Sequence, residues 1–224
     1  MTTEEQNTVA AADAIESVAR ANLLPPNEKL DNAIANSQKH DWPEITVSPL
    51  QGQFLAIQCK LMGAKEVLEI GTLGGYSTIW LAEAGAKVTS CYIEINLKHR
   101  DVALQNVSGL DTEIILGSAL GVLPKLAAEG RKFDMVFCDA SWGEQEKYFD
   151  RAVKLSRPKG CIHIDNVVWN ILSQGKAKEG KESLLSYVGK NKRVTATLVP
   201  MISTAHTVHE GRTVLDGFLL AVVN

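Results

Sequence analysis

The sequence predicts an α/β fold: a seven-stranded, mostly parallel sheet with helices on both faces and its last strand antiparallel. Three observations predict it. Short apolar runs alternate with amphipathic segments through most of the chain. A glycine-rich turn, Gly71-Thr72-Leu73-Gly74-Gly75, follows the first such run, where an open α/β sheet binds its ligands. Four of the runs end in or beside an acid, Glu69, Glu94, Asp139 and Asp165, so one rim of the sheet collects carboxylates.

Residues 9–21 and 29–38 have helical periodicity and are divided by Pro25-Pro26, and Trp42-Pro43 marks a boundary after them. Residues 1–44 are therefore read as a helical appendage and residues 45–224 as the main domain. A helix near 50–61 leads into the strand Val67-Leu68-Glu69-Ile70, and Ser77-Thr78-Ile79-Trp80-Leu81-Ala82 forms the helix after the glycine turn. Further strands are expected at 88–93, 112–116, 135–139, 161–165, 194–199 and 218–223. Helical segments between the first five strands imply right-handed crossovers, whereas the last two strands are near enough in sequence to pair antiparallel. Residues 170–180, rich in Gln, Gly, Lys and Ala, read as an inserted loop. The polar stretch 203–212, with His206 and His209, reads as a rim segment, a dimer contact or a plain loop.

Composition removes several function classes. A net charge of −3 over 224 residues offers no general attraction for nucleic-acid or membrane phosphates, so neither is an expected partner. No apolar run approaches the roughly 20 residues that span a bilayer. Met1-Thr2-Thr3-Glu4-Glu5 has neither a secretory nor a mitochondrial signature, and a cytoplasmic location is the expectation. Cys59, Cys91, Cys138 and Cys161 stand singly without a CxxC pair, as buried thiols do.

The glycine turn differs from the dinucleotide pattern G-x-G-x-x-G. Its spacing is Glu-x-Gly-x-x-Gly-Gly, with Glu69 two residues before Gly71. A carboxylate there repels pyrophosphate and favours a cationic ligand, an amino-acid ammonium or a sulfonium. The cofactor suggested is S-adenosylmethionine. Glu94 follows Gly71 by 23 residues, where an acid can accept both ribose hydroxyls, although an NAD enzyme places one there too.

Two rim acids remain, Asp139 and Asp165, with Asn166 beside the latter. Oxygen donors of this kind suit a hard divalent cation such as magnesium or manganese. A strand-end Asp also serves as a helix cap and Asp-Asn as a turn, so both readings stand. His163 alternates onto the same strand face as Asp165 but reads more readily as a core residue than as a base.

From residue 45 onward the chain resembles the class I S-adenosylmethionine-dependent methyltransferases, and within them the cation-dependent O-methyltransferases of catechols and caffeoyl-coenzyme A. The resemblance rests on Gly52-Gln53-Phe54-Leu55, Leu68-Glu69-Ile70-Gly71-Thr72 with Gly75-Tyr76-Ser77, Phe133-Asp134 leading to Asp139-Ala140, and Asp165-Asn166-Val167-Val168-Trp169-Asn170. It implies the methyltransferase variant of the Rossmann architecture. It also implies cofactor contacts by Val47, Glu69, Gly71, Ser77, Glu94, Ala119 and Asp139, and a divalent cation (magnesium, manganese or cobalt) on Asp139, Asp165 and Asn166, which are then the catalytic set. A phenolic substrate with vicinal hydroxyls, contacted by Trp142, Trp169 and Asn170, and a homodimer, with residues 1–44 as lid or dimer contact, are implied as well. The pattern departs from the family at one place. Where the family has a lysine, three residues after the first metal Asp, this chain has Trp142. Lys147 lies further along, on a different helix face, and is not read as its replacement. Two alternatives therefore stand beside the enzyme: a cofactor-binding protein without catechol turnover, and an NAD-linked oxidoreductase.

Overall fold

Seven strands form one sheet in the computed structural model, which describes residues 3–42, 45–92, 97–202 and 215–224. In chain order they are β1 (Glu66–Ile70), β2 (Lys87–Tyr92), β3 (Thr112–Leu116), β4 (Phe133–Cys138), β5 (Ser156–Ile164), β6 (Val194–Ile202) and β7 (Leu215–Val223). Their order across the sheet is β3-β2-β1-β4-β5-β7-β6. The pairs β1–β2, β1–β4, β2–β3 and β4–β5 are parallel, and β7 runs antiparallel to both β5 and β6. Chain direction across the sheet reverses between β1 and β4, so the crevice outside their carboxyl ends is the natural ligand site. Because β7 is reversed, its amino end joins that same rim.

The helices are α1 (Thr3–Leu23), α2 (Glu28–Lys39), α3 (Pro49–Met62), α4 (Tyr76–Glu83), α5 (Leu97–Asn106), α6 (Ala119–Ala128), α7 (Gln145–Leu155), α8 (Val167–Ser173) and α9 (Leu184–Gly189). Local chemistry starts and stops them. Asn27 caps α2 by accepting from Lys29 N and Leu30 N at 3.0 and 3.1 Å. Ser48 caps α3 with Pro49 at the first helical position, and Gly63 ends it in the left-handed conformation. Ser118 caps α6 through Gly121 N at 3.2 Å, as its place after β3 predicts.

Strand residues divide between two cores. Leu68, Ile70, Val136, Ile162 and Ile164 face α6, α7 and α9, whereas Val67, Val88, Met135 and Phe137 face α2, α3 and α4. Burial on both faces explains why these strands read as continuous apolar runs. Each fully buried Leu, Ile or Phe contributes about 1.5–3 kcal/mol. On the α3 side the helices lie close: a Cβ on Gly52 would fall 2.2 Å from Trp80 Nε1.

Two expectations are corrected in detail. Residues 170–173 belong to α8 and are not loop, because Asn166 turns into the helix in the left-handed conformation and Val167 buries itself against the β4–β5 core. Strand β5 starts at Ser156, five residues before the expected Cys161. Its register against β4 breaks between Phe133 and Met135, so regular pairing begins at Cys161. All four cysteines are free and buried, as expected.

Candidate active site

The carboxyl ends of β2, β1, β4 and β5 are each locked to the next one residue beyond regular pairing. Gly71 N donates to Cys91 O at 3.2 Å, Asp139 N to Ile70 O at 2.9 Å and Asp165 N to Cys138 O at 2.9 Å. This places the glycine turn, Asp139 and Asp165 side by side on a rigid edge.

Gly71 allows that convergence. Its φ is +107°, and a Cβ on it would lie 2.0 Å from the Asp139 carbonyl oxygen. Gly71→Ala is expected to lower stability by ~2–4 kcal/mol and to weaken cofactor binding, checked by urea unfolding and by titration with S-adenosylmethionine. The turn is braced from behind by the buried Asn106, whose Nδ2 donates to Gly74 O at 2.9 Å while Asn36 Nδ2 of α2 donates to its Oδ1 at 2.7 Å.

Glu69 is completely buried. Ser77 Oγ donates to its Oε1 at 2.6 Å, and Thr78 Oγ1 and Ser90 Oγ donate to its Oε2 at 2.5 Å each. Ser90 spends its only proton on Glu69, so Thr72 Oγ1 must be the donor in its 2.6 Å contact with Ser90. Burial raises the pKa of Glu69, and the hydrogen bonds from Ser77, Ser90 and Thr78 oppose that rise. Ser77 is thus tied to Glu69, and the pair shapes the turn. Sequence reasoning missed Thr78 and Ser90.

Val47 is buried among Leu30, Ala33 and Tyr76 and borders a cavity of about 390 Å³ between α2 and the segment 46–49. Ala119 opens α6 and is buried. Glu94 lies outside the described residues, as do His206 and His209.

Asp139 is half-buried and Asp165 is buried. Burial pushes the Asp139 carboxyl well above its ordinary range, aided by the charges of Asp165, Glu69 and Asp216. Burial and then Asp216 push Asp165 up to about 7, against opposing pulls from the Asn166 backbone and the Gln51 side chain. Nε2 of Gln51 is nevertheless buried without a hydrogen bond of ordinary geometry. Asn166 accepts from Trp142 Nε1 on Oδ1 at 3.2 Å and donates from Nδ2 to Asp216 Oδ2 at 2.9 Å. Asp216, at the start of β7, is the main residue sequence reasoning missed. The signal was available: an acid just before an antiparallel last strand lands on the rim where the parallel strands end.

Trp142 and Trp169 pack together with their rings tilted, centroids 4.0 Å apart at 50°, and Trp142 is 43% exposed. Asn170 Nδ2 donates to Trp142 O at 3.2 Å and Gln145 Oε1 at 2.8 Å, its Oδ1 accepts from Gln174, and Gln145 Nε2 donates to Asp165 O at 2.9 Å. Asn170 is therefore engaged in holding the two loops together beneath the tryptophans. Lys147 is exposed, its Nζ 3.5 Å from Glu144 Oε1. His163 is a core residue: it stacks on Phe218 at 4.1 Å, and burial lowers its pKa to about 3.

Among the described residues no group of three or more His, Cys, Asp or Glu is arranged around one metal position. Two carboxylates and an amide oxygen do suit a hard cation, which would relieve the repulsion between Asp139 and Asp165. The indole N–H occupies one lone pair of Asn166 Oδ1 and leaves the other. The glycine turn, at the carboxyl end of β1 beside the buried Glu69, suits S-adenosylmethionine.

Residues 23–204 match the O-methyltransferase family. The O-methyltransferase imqG of Aspergillus flavus is 34% identical over 230 residues, covering 94% of this chain and 90% of the relative. A catechol O-methyltransferase of Niastella koreensis is 38% identical over 195 residues, covering 81% and 83%. The crystal structure of an O-methyltransferase from Bacillus cereus in complex with SAH superposes with a TM-score of 0.83 at 31% identity, covering 96% of this chain and 100% of that one. The NAD-linked alternative falls with these matches. The fold, the cradle at the β1 end and the family match agree that the chain belongs to the O-methyltransferase family and is an S-adenosylmethionine-dependent O-methyltransferase.

Proposed function

We propose that the protein methylates one hydroxyl of a catechol-type phenol or flavonoid and requires a divalent cation held by Asp139, Asp165 and Asn166. The observation that carries the reading is the alignment of those three residues along the β4–β5 rim beside the glycine cradle, with the tilted Trp142–Trp169 pair beside them. When bound, S-adenosylmethionine supplies an electrophilic methyl group. A cation, when bound, supplies the positive charge that makes a phenolate accessible at neutral pH, where a free phenol of pKa about 10 is not.

The chain's own part is placement. Glu69 and Gly71 would lie at the amino-acid end of the cofactor with Ser77 at the helix start and Val47 near the methionine moiety, Glu94 would hold the ribose, and the Ala119 backbone would meet the adenine. Glu69 contributes its charge while its oxygens order the turn. The exposed ring of Trp142, beside Trp169, offers an apolar surface for an aromatic ring, and Asn170 keeps it in place. Holding nucleophile, methyl carbon and sulfur in line contributes on the order of 7–11 kcal/mol in ideal intramolecular cases.

Trp142→Ala is expected to raise the KM for a catechol by roughly tenfold, the equivalent of one lost aromatic stack, with a smaller effect on kcat. Steady-state kinetics over a range of acceptor concentrations measures this. To test the substrate class, a catechol and its monohydroxy analogue are offered together. The catechol should be methylated and the monophenol left untouched; equal rates would remove the vicinal-diol reading. A second reading, cofactor binding without catechol turnover, is favoured by Trp142 standing where the resemblance expects lysine. Tight S-adenosylmethionine binding with no product would select it.

The same proposal includes a homodimer in the cytoplasm. Support comes from Phe54, Ile57 and Leu61, exposed apolar side chains along α3. No helix among the described residues is long and apolar enough to cross a membrane. Light scattering after gel filtration reports the dimer directly.

A further inference from the structure

We infer that Asp216 is a positioning residue, which fixes the amide of Asn166 so that its oxygen faces the cation position. The inference rests on the cation reading above. Across the sheet the rim runs Asp139 after β4, Asp165 and Asn166 after β5, and Asp216 at the start of β7. Asn166 stands between two loops of opposite demand. On the β4 side the Trp142 indole has only an N–H to give, 3.2 Å from Oδ1; on the β7 side Asp216 has only acceptors, with Oδ2 2.9 Å from Nδ2.

Turning the amide over would oppose donor to donor on one side and acceptor to acceptor on the other. The oxygen is thereby held toward the loop that follows β4, the strand after which Asp139 stands, and the NH2 group toward β7. The left-handed backbone of Asn166, φ 55° and ψ 26°, carries the side chain into this gap.

Only a carboxylate fits at 216. Its Oδ1 already accepts from Trp169 N at 3.3 Å and Gly217 N at 2.7 Å, while Oδ2 takes the Asn166 amide. An Asn at this position must turn an NH2 group toward one of these donors. Asp216 also ties the start of α8, through Trp169 N, to β7.

The test is titration of the cofactor-free protein with Mn²⁺ alone, followed by the electron paramagnetic resonance signal of free Mn²⁺. It is run on the parent, Asp216→Asn, Asn166→Ala and the double variant, each checked for cooperative melting and for S-adenosylmethionine binding. Asp216→Asn should bind Mn²⁺ roughly 10- to 100-fold more weakly, with cofactor affinity unchanged. The double variant should bind no more weakly than Asn166→Ala, because Asp216 acts through that amide. Parent-like Mn²⁺ affinity in a folded Asp216→Asn overturns the inference. So does a further loss in the double variant, which would make Asp216 a ligand in its own right. A parent that binds no Mn²⁺ overturns the cation reading itself. If Asp216→Asn does not fold, Asp216→Ala, which removes the acceptor without adding a donor, takes its place, and undiminished Mn²⁺ affinity there is equally fatal.

Discussion

Asp165→Ala is expected to lower turnover of a catechol by about a hundredfold or more while leaving S-adenosylmethionine binding nearly intact. The residue follows the interior strand β5, its backbone is held by Cys138 and Gln145, and its carboxylate is buried beside Asp139 and Asp216. Such a group is expensive to keep without a cation. Burial and Asp216 hold its pKa up at about 7 in the cation-free protein. A carboxyl whose folded-state pKa is raised stabilises the fold fully below the ordinary carboxylate range, and that contribution is lost as pH rises from about 4 to about 7. Above about pH 7 the ionised group costs ~2–4 kcal/mol, which a cation would restore. Magnesium should therefore raise the melting temperature more at pH 8 than at pH 5.5. Below about pH 7 its affinity should fall by up to about tenfold per pH unit, since each cation must displace a proton. Asp165→Asn should flatten both profiles. Parent-like catechol turnover by Asp165→Ala would remove the residue from the site.

Glu69→Ala is expected to produce a loss of stability as large as that of Gly71→Ala. The substitution strands the hydroxyls of Ser77, Thr78 and Ser90 in a place closed to solvent and removes the partner that sets the glycine turn. A loss of ~2–4 kcal/mol is expected. For a chain of this length that corresponds to a fall in melting temperature of about 5–15 °C. Cofactor affinity should fall with it, because Ser77 loses its anchor. Glu69→Gln keeps one acceptor and turns an NH2 group toward the other donors, so its effect should be intermediate. Differential scanning calorimetry with and without S-adenosylmethionine separates the two losses. If Glu69→Ala melts and binds like the parent, the hydroxyl network has no part in ordering the turn.

The sheet was readable because its strands are buried on both faces. Val67-Leu68 and Met135-Val136-Phe137 present apolar side chains in both directions, and the helices between them leave only parallel crossovers. The glycine turn was readable for a steric reason, since Gly71 touches the Asp139 backbone where no Cβ fits. Helix α8 was obscured by its polar neighbours: the Gln, Gly and Lys content after residue 173 masked a helix whose start depends on a single left-handed residue, Asn166. Asp216 was overlooked for a topological reason. Its importance comes from β7 running backwards, and only the sheet order places its first residues beside Asn166. The roles of Asn170 and Glu69 in hydrogen-bond networks were equally invisible, because a motif gives a residue's type and spacing but not which atoms it satisfies.

The central claim is that cation and acceptor chemistry meet at Asp139, Asp165 and Asn166, and methyl transfer from labelled S-adenosylmethionine tests it most directly. Catechols, flavonoids and caffeoyl-coenzyme A are offered with magnesium, manganese or cobalt, and again with EDTA. The expected result is methylation of an acceptor bearing vicinal hydroxyls, abolished by EDTA and restored by excess cation. Methylation that proceeds equally well in EDTA would contradict the account.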